Sequence, residues 1–149
     1  MAIDLETRYR SMRTLWLALL MNAGVFFIWV LFSAKEISND PADAPDPVLI
    51  GALSALAAIS VIASFVVKRL LLKRAEDNQD AMLVQRALIV ACTMCEVSVL
   101  IGVVARMTLG FRHYYLLLLV GATGIALHYP RRDHLLAAGY KNHGLGTRS

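Results

Sequence analysis

Four stretches of this chain are nearly free of charge, and the charged residues collect between them. The first covers 14–33, TLWLALLMNAGVFFIWVLFS, with Asn22 as its one strongly polar interior residue. The second covers 48–67, VLIGALSALAAISVIASFVV, and carries no charge. The third covers 87–105 and has Glu96 near its middle. The fourth covers 112–129 and reads YYLLLLVGATGIALHY after Arg112 and His113. About 20 apolar residues rising about 1.5 Å each cross about 30 Å of hydrocarbon, which the first three satisfy. The fourth is shorter and needs Arg112 to snorkel to the headgroups. The pattern predicts an all-α, four-helix transmembrane bundle forming a single integral membrane domain over 1–149. The first stretch is too long for the core of a signal peptide, and no small-x-small site follows it, so it reads as a retained span.

The segments between the spans fix an orientation. Arg8, Arg10 and Arg13 precede the first span. Lys68, Arg69, Lys73, Arg74 and Arg86 lie between the second and third, and Arg131, Arg132, Lys141 and Arg148 follow the fourth. The opposite side has only Lys35, Arg106 and Arg112, and its first loop, KEISNDPADAPDPV, is acidic and proline-rich. This bias puts both termini in the cytoplasm, N-in and C-in, with the chain in the cell membrane. KRLLLKR continues the second helix outward until the polar turn AEDNQD. PRRDHLLAAGYK, residues 130–141, reads as a short C-terminal interfacial helix with Leu135 and Leu136 dipping inward. NHGLGTRS reads as a frayed end.

Composition agrees with the pattern. Of 149 residues, 58% are hydrophobic and 17% charged, and the mean hydropathy is +0.58. A soluble domain carries about a quarter charged residues. The net charge of +4 would suit a nucleic-acid partner. The positive residues flank apolar runs instead, so no nucleic-acid partner is expected.

Candidate chemistry is sparse. An ionised carboxylate at mid-membrane costs about 2.5–3.5 kcal/mol on insertion scales, so Glu96 is either protonated or paired. The first and third spans cross in the same direction, which puts Asn22 and Glu96 at similar depth. Ser54, Ser60 and Thr123 lie near the middle of the other two spans, which suggests a polar midplane layer with one contribution per helix. At about 100° per residue, Gln85, Ile89, Cys92 and Glu96 share one stripe of the third helix, with Thr93 at its edge. That stripe suits an access path to a carboxyl group and equally suits a helix–helix seam. Cys92 and Cys95 form a C-x-x-C, the thiol candidate. Cβ atoms three residues apart in a helix are about 5–6 Å apart, whereas a disulfide needs about 3.8 Å. Redox pairs also sit at helix N-termini, not deep in a span. His128 is the candidate pigment or haem ligand, with an interfacial role as the plainer alternative. No metal cluster, phosphate loop or nucleophile–base pairing is legible, so an enzyme is disfavoured and no cofactor is expected beyond bound lipid or pigment.

Residues 48–107 resemble the hairpin of rotary-ATPase c subunits, the proteolipids. The resemblance lies in a small-residue helix, GALSALAAIS, a polar turn with an arginine, KRAEDNQD, and a helix with a mid-membrane acid, LIVACTMCEVSVLIGVV. It covers under half of the chain and implies that Glu96 is an ion-carrying acid. The residues themselves point first to a small non-catalytic accessory subunit of a larger, energy-converting membrane complex, with the bilayer and other membrane subunits, in a hetero- or homo-oligomer, as partners. The alternatives are an ion- or proton-translocating element built on Glu96, and a thiol redox membrane enzyme.

Overall fold

The computed structural model describes residues 2–33 and 46–139. Lys35, most of the acidic loop with Asp40 and Asp43, and the tail with Lys141 and Arg148 lie outside the described residues. The fold is an all-α bundle: α1 (Ala2–Ser33), α2 (Pro47–Asn78), α3 (Ala81–Leu109), α4 (Tyr114–Leu127) and α5 (Arg132–Gly139). Three helices, α1 to α3, are long and apolar enough to cross a membrane.

Local chemistry sets the boundaries. Asp46 caps α2, its carboxylate accepting from the Val48 amide at 2.9 Å, and Pro47 occupies the first turn, where its missing N–H costs nothing. The helix runs on through KRLLLKR and stops at Gln79, whose φ of 53° turns the chain left-handed. Asp80 then caps α3 by accepting from the Met82 amide at 2.8 Å. The expected polar turn therefore exists, but it is tighter than AEDNQD, because Ala75–Asn78 remain helical. At the far end of α3, Gly110 takes φ 63°, a conformation that costs a residue with a Cβ about 1–2 kcal/mol.

The fourth apolar stretch is shorter as a helix than the sequence suggested. The reading of 112–129 gives way to Tyr114–Leu127, 14 residues, or about 21 Å of rise. Gly110 ends α3 so late that residues 111–113 are needed to make the turn. Pro130 disfavours helical geometry at Tyr129 and stops the helix at the other end. Arg112 is exposed in that turn. Arg106 stacks over the Tyr114 ring at 5.5 Å, which accommodates a cation at this end of the bundle.

α3 is the axis of the bundle. Half of its most apolar stretch (50%) is buried, against 11% for α1 and for α2. It touches α1, α2 and α4, whereas α1 and α2 do not touch each other among the described residues. The order around α3 is therefore α1, α4, α2, with a gap between α2 and α1. α4 lies close against α3 at its glycines. A Cβ added at Gly121 would lie 2.6 Å from Val99 Cγ2 and 2.8 Å from the Cys95 carbonyl oxygen, and one at Gly124 would lie 2.7 Å from Cys95 Sγ. Small residues permit this contact, the common solution where lipid offers no hydrophobic contrast. Ser98 reinforces it by donating to the Leu117 carbonyl at 3.1 Å. On α2, Ala57 packs against Ala105 and Leu117, whereas Gly51 has open space around it and Ala55 and Ala58 are exposed.

α5 folds back under the bundle. Leu135 and Ala138 are buried at 1% exposure, whereas Leu136 points outward. Arg132 ties α5 to the start of α1, pairing with Glu6 at 3.2 Å and stacking on Tyr9 at 4.6 Å. Trp16 donates its indole N–H to the Ile125 carbonyl at 2.8 Å and meets the Tyr129 ring edge-on at 5.1 Å, joining α1 to the end of α4.

Candidate functional site

Two polar clusters stand out in this apolar bundle, and they differ in access. The first joins α1 and α3: Asn22 Nδ2 donates to Glu96 Oε1 at 3.2 Å. Two helices running in the same direction with polar residues at similar depth were expected to bring these side chains together, and they do. The pair is not sealed, however. Glu96 is half-buried and Asn22 is exposed, so the carboxyl group lies on the flank of the bundle. The other residues of the α3 stripe separate. Cys92 is fully buried in the core, Gln85 and Ile89 are half-buried, and Thr93 is exposed, its hydroxyl donating back to the carbonyls of Ile89 and Val90 at 3.0 Å. The stripe is thus a helix seam along most of its length, and it opens outward at Thr93 and Glu96.

The second cluster joins α2, α3 and α4 and is sealed. His128, which caps the end of α4, is 1% exposed, and Ser64 on α2 is 0% exposed. Ser64 Oγ lies 2.8 Å from His128 Nε2, 3.3 Å from Cys95 Sγ and 2.6 Å from the Val61 carbonyl. A hydroxyl has one proton to give. The shortest contact places that proton on Val61, so the His128 Nε2–H and the Cys95 S–H both donate to Ser64. His128 Nδ1 is then a bare lone pair, buried without a partner. The Phe65 ring packs against the imidazole at 4.4 Å between centroids. Lys68, one turn beyond Ser64, donates to the His128 carbonyl at 3.4 Å and satisfies an acceptor at the helix end.

A serine within hydrogen-bonding reach of a histidine invites a nucleophile–base reading, but the arrangement serves that chemistry poorly. The serine proton points at backbone, no group orients Nδ1, and neither side chain is reachable from the surface. As a haem or pigment ligand, His128 has its Nε2 committed to Ser64 and its Nδ1 sealed. Cys92 and Cys95 are free and buried, and Cys95 serves the polar knot. No group of three or more His, Cys, Asp or Glu side chains that could hold a metal occurs among the described residues.

Sequence reasoning located the first cluster and missed the second. The polar contribution of α2 comes from Ser64, not from Ser54 or Ser60, and Thr123 on α4 is exposed. The expected midplane layer therefore reduces to the Asn22–Glu96 pair. The available signal for the knot was the placement of Ser64 one helical turn before Lys68, both near the end of an apolar run opposite a histidine that ends another.

No family model, curated protein or solved structure matches this chain. The fold and its polar groups define a class: a helical, multi-span membrane protein without a metal cluster among its described residues.

Proposed function

We propose that this chain is a small, non-catalytic subunit of a larger membrane assembly. In this reading it crosses the bilayer four times, with α4 as the short fourth span and both termini in the cytoplasm. The observation that carries the reading is the position of Glu96. A carboxyl group near the middle of an apolar helix is half-exposed on the flank of the bundle, with one neutral donor, Asn22, to satisfy it. Bare lipid is a costly neighbour for such a group, and a second protein is a far better one. Among the described residues, the contacts of Ser64 with His128, Ser98 with Leu117 and Trp16 with Ile125 tie helices of the same chain together. The test is native mass spectrometry of the C-terminally tagged protein extracted from its own membranes in mild detergent. The expected result is a complex with different membrane proteins at fixed stoichiometry.

A second reading makes Glu96 a reversible ion or proton carrier, as the c-subunit resemblance implies. Its support is the outward exposure of Glu96, since a carrier must be reached from outside its own helix bundle. This reading expects Glu96→Gln to abolish proton flux in vesicles made from the assembled complex. The subunit reading expects flux carried by Glu96 to be absent from the start, so that the variant changes assembly and leaves flux per assembled complex unaltered.

A further inference from the structure

From the open side of α3 we infer a docking groove for one transmembrane helix of a different protein, a helix carrying a lysine or arginine at mid-depth. The inference rests on the subunit reading above and names the surface and the chemistry of the partner. The groove follows from the packing order. Among the described residues α1 and α2 both lie against α3 without packing on each other, so α3 has one uncovered side, and it faces the gap between them. Val90, Thr93, Val97, Leu100 and Val104 are exposed along the middle of that side at intervals of three and four, with exposed Met82, Arg86 and Met107 continuing the stripe toward its ends. They make a floor of small and medium side chains into which an apolar helix can settle. Glu96 and Asn22 stand at the α1 edge of this floor.

Charge complementarity decides the occupant. Lipid chains fill an apolar groove equally well, but they leave a carboxyl group unanswered. A second copy of this chain answers it poorly, because among the described residues the polar groups it could bring to the same depth from exposed positions are Asn22, Thr93 and Thr123, none of them cationic. A foreign helix with one central lysine or arginine supplies the missing charge and seals the carboxyl group from lipid. Burial of such a pair is favourable here because both groups already lie in the membrane, so association carries no second transfer from water.

The test reconstitutes the labelled full-length protein in neutral phosphatidylcholine vesicles. It adds a model leucine–alanine transmembrane peptide with a single central lysine, or its all-apolar twin, and reads association by energy transfer at neutral pH. The lysine peptide is expected to associate roughly tenfold more tightly than the twin, the scale of one good polar contact between helices. Glu96→Gln retains an oxygen to accept from Asn22, so the bundle is kept while the charge is lost, and the preference for lysine is expected to vanish. Val97→Trp, on the groove floor, is expected to weaken binding, whereas Ile59→Trp, on the outer face of α2, is expected to leave it unchanged. Equal association of the two peptides overturns the inference. So does a lysine preference that survives Glu96→Gln, or homodimerisation through Glu96 that excludes the peptide. If native complexes are found but the lysine preference is absent, the groove fails and the subunit reading stands. If the preference is present but the native protein has no partner, the subunit reading fails.

Discussion

Gly121→Ala lowers the stability of the bundle by about 3 kcal/mol, the upper part of the usual range for overpacking a close contact. The added Cβ would lie 2.6 Å from Val99 Cγ2, 2.8 Å from the Cys95 carbonyl oxygen and 3.0 Å from the Val99 amide nitrogen. Two of these neighbours are α3 backbone and cannot rotate away. The helices must separate by several tenths of an ångström, and the separation spreads to the Ser98–Leu117 bond and to the contact at Gly124. The matched control is Gly51→Ala. It meets nothing within 4 Å, and alanine is the better helix former by about 1 kcal/mol, so stability holds or rises slightly. Unfolding in mixed micelles at increasing denaturing detergent measures both. Equal responses at the two positions would mean that α4 does not pack on α3 as described.

The next largest effect is expected at the sealed polar knot, and its size should depend on what is left behind. Ser64→Ala removes the acceptor for the His128 Nε2–H and for the Cys95 thiol while both remain buried. Stranding a buried donor costs about 2 kcal/mol, more than the net worth of the bond it made. His128→Phe strands nothing, because Ser64 keeps the Val61 carbonyl, and the new ring fills a similar volume beside Phe65. The double variant is therefore expected to be more stable than Ser64→Ala alone. The same denaturation measurement checks the order, and a double variant that simply sums two losses would contradict the proton assignment at Ser64.

The contrast between the two clusters shows how far this sequence could be read. Asn22 and Glu96 interrupt long apolar runs near their centres, and depth along two helices of the same direction is set by counting residues, so their meeting was legible. So were the apolar cores of α1 to α3 and the turn before α3. Ser64 and His128 lie at the ends of their apolar runs, next to Lys68 and to Tyr129-Pro130, where a polar residue ordinarily faces headgroups. Both are nevertheless buried, in a bundle where α5 turns back against α2, α3 and α1 and adds Leu135 and Ala138 to the core. That turn is a tertiary event with no periodic signature. The length of α4 escaped for a related reason. Hydropathy marks where a chain is apolar, whereas Gly110 and Pro130 decide where a helix can exist. The outward position of Glu96 was also illegible, since the stripe it shares with buried Cys92 gives no indication that α1 and α2 stand apart.

Glu96 is, in the proposed role, a contact between different proteins. Native mass spectrometry of the tagged wild type and of Glu96→Gln, extracted side by side in mild detergent from the same membranes, tests this most directly. The wild type is expected as a hetero-complex at fixed stoichiometry, and the variant, still folded, is expected largely stripped of its partner. A wild type that arrives alone or only with copies of itself would contradict the account, as would a Glu96→Gln protein that keeps the same partners in the same ratio.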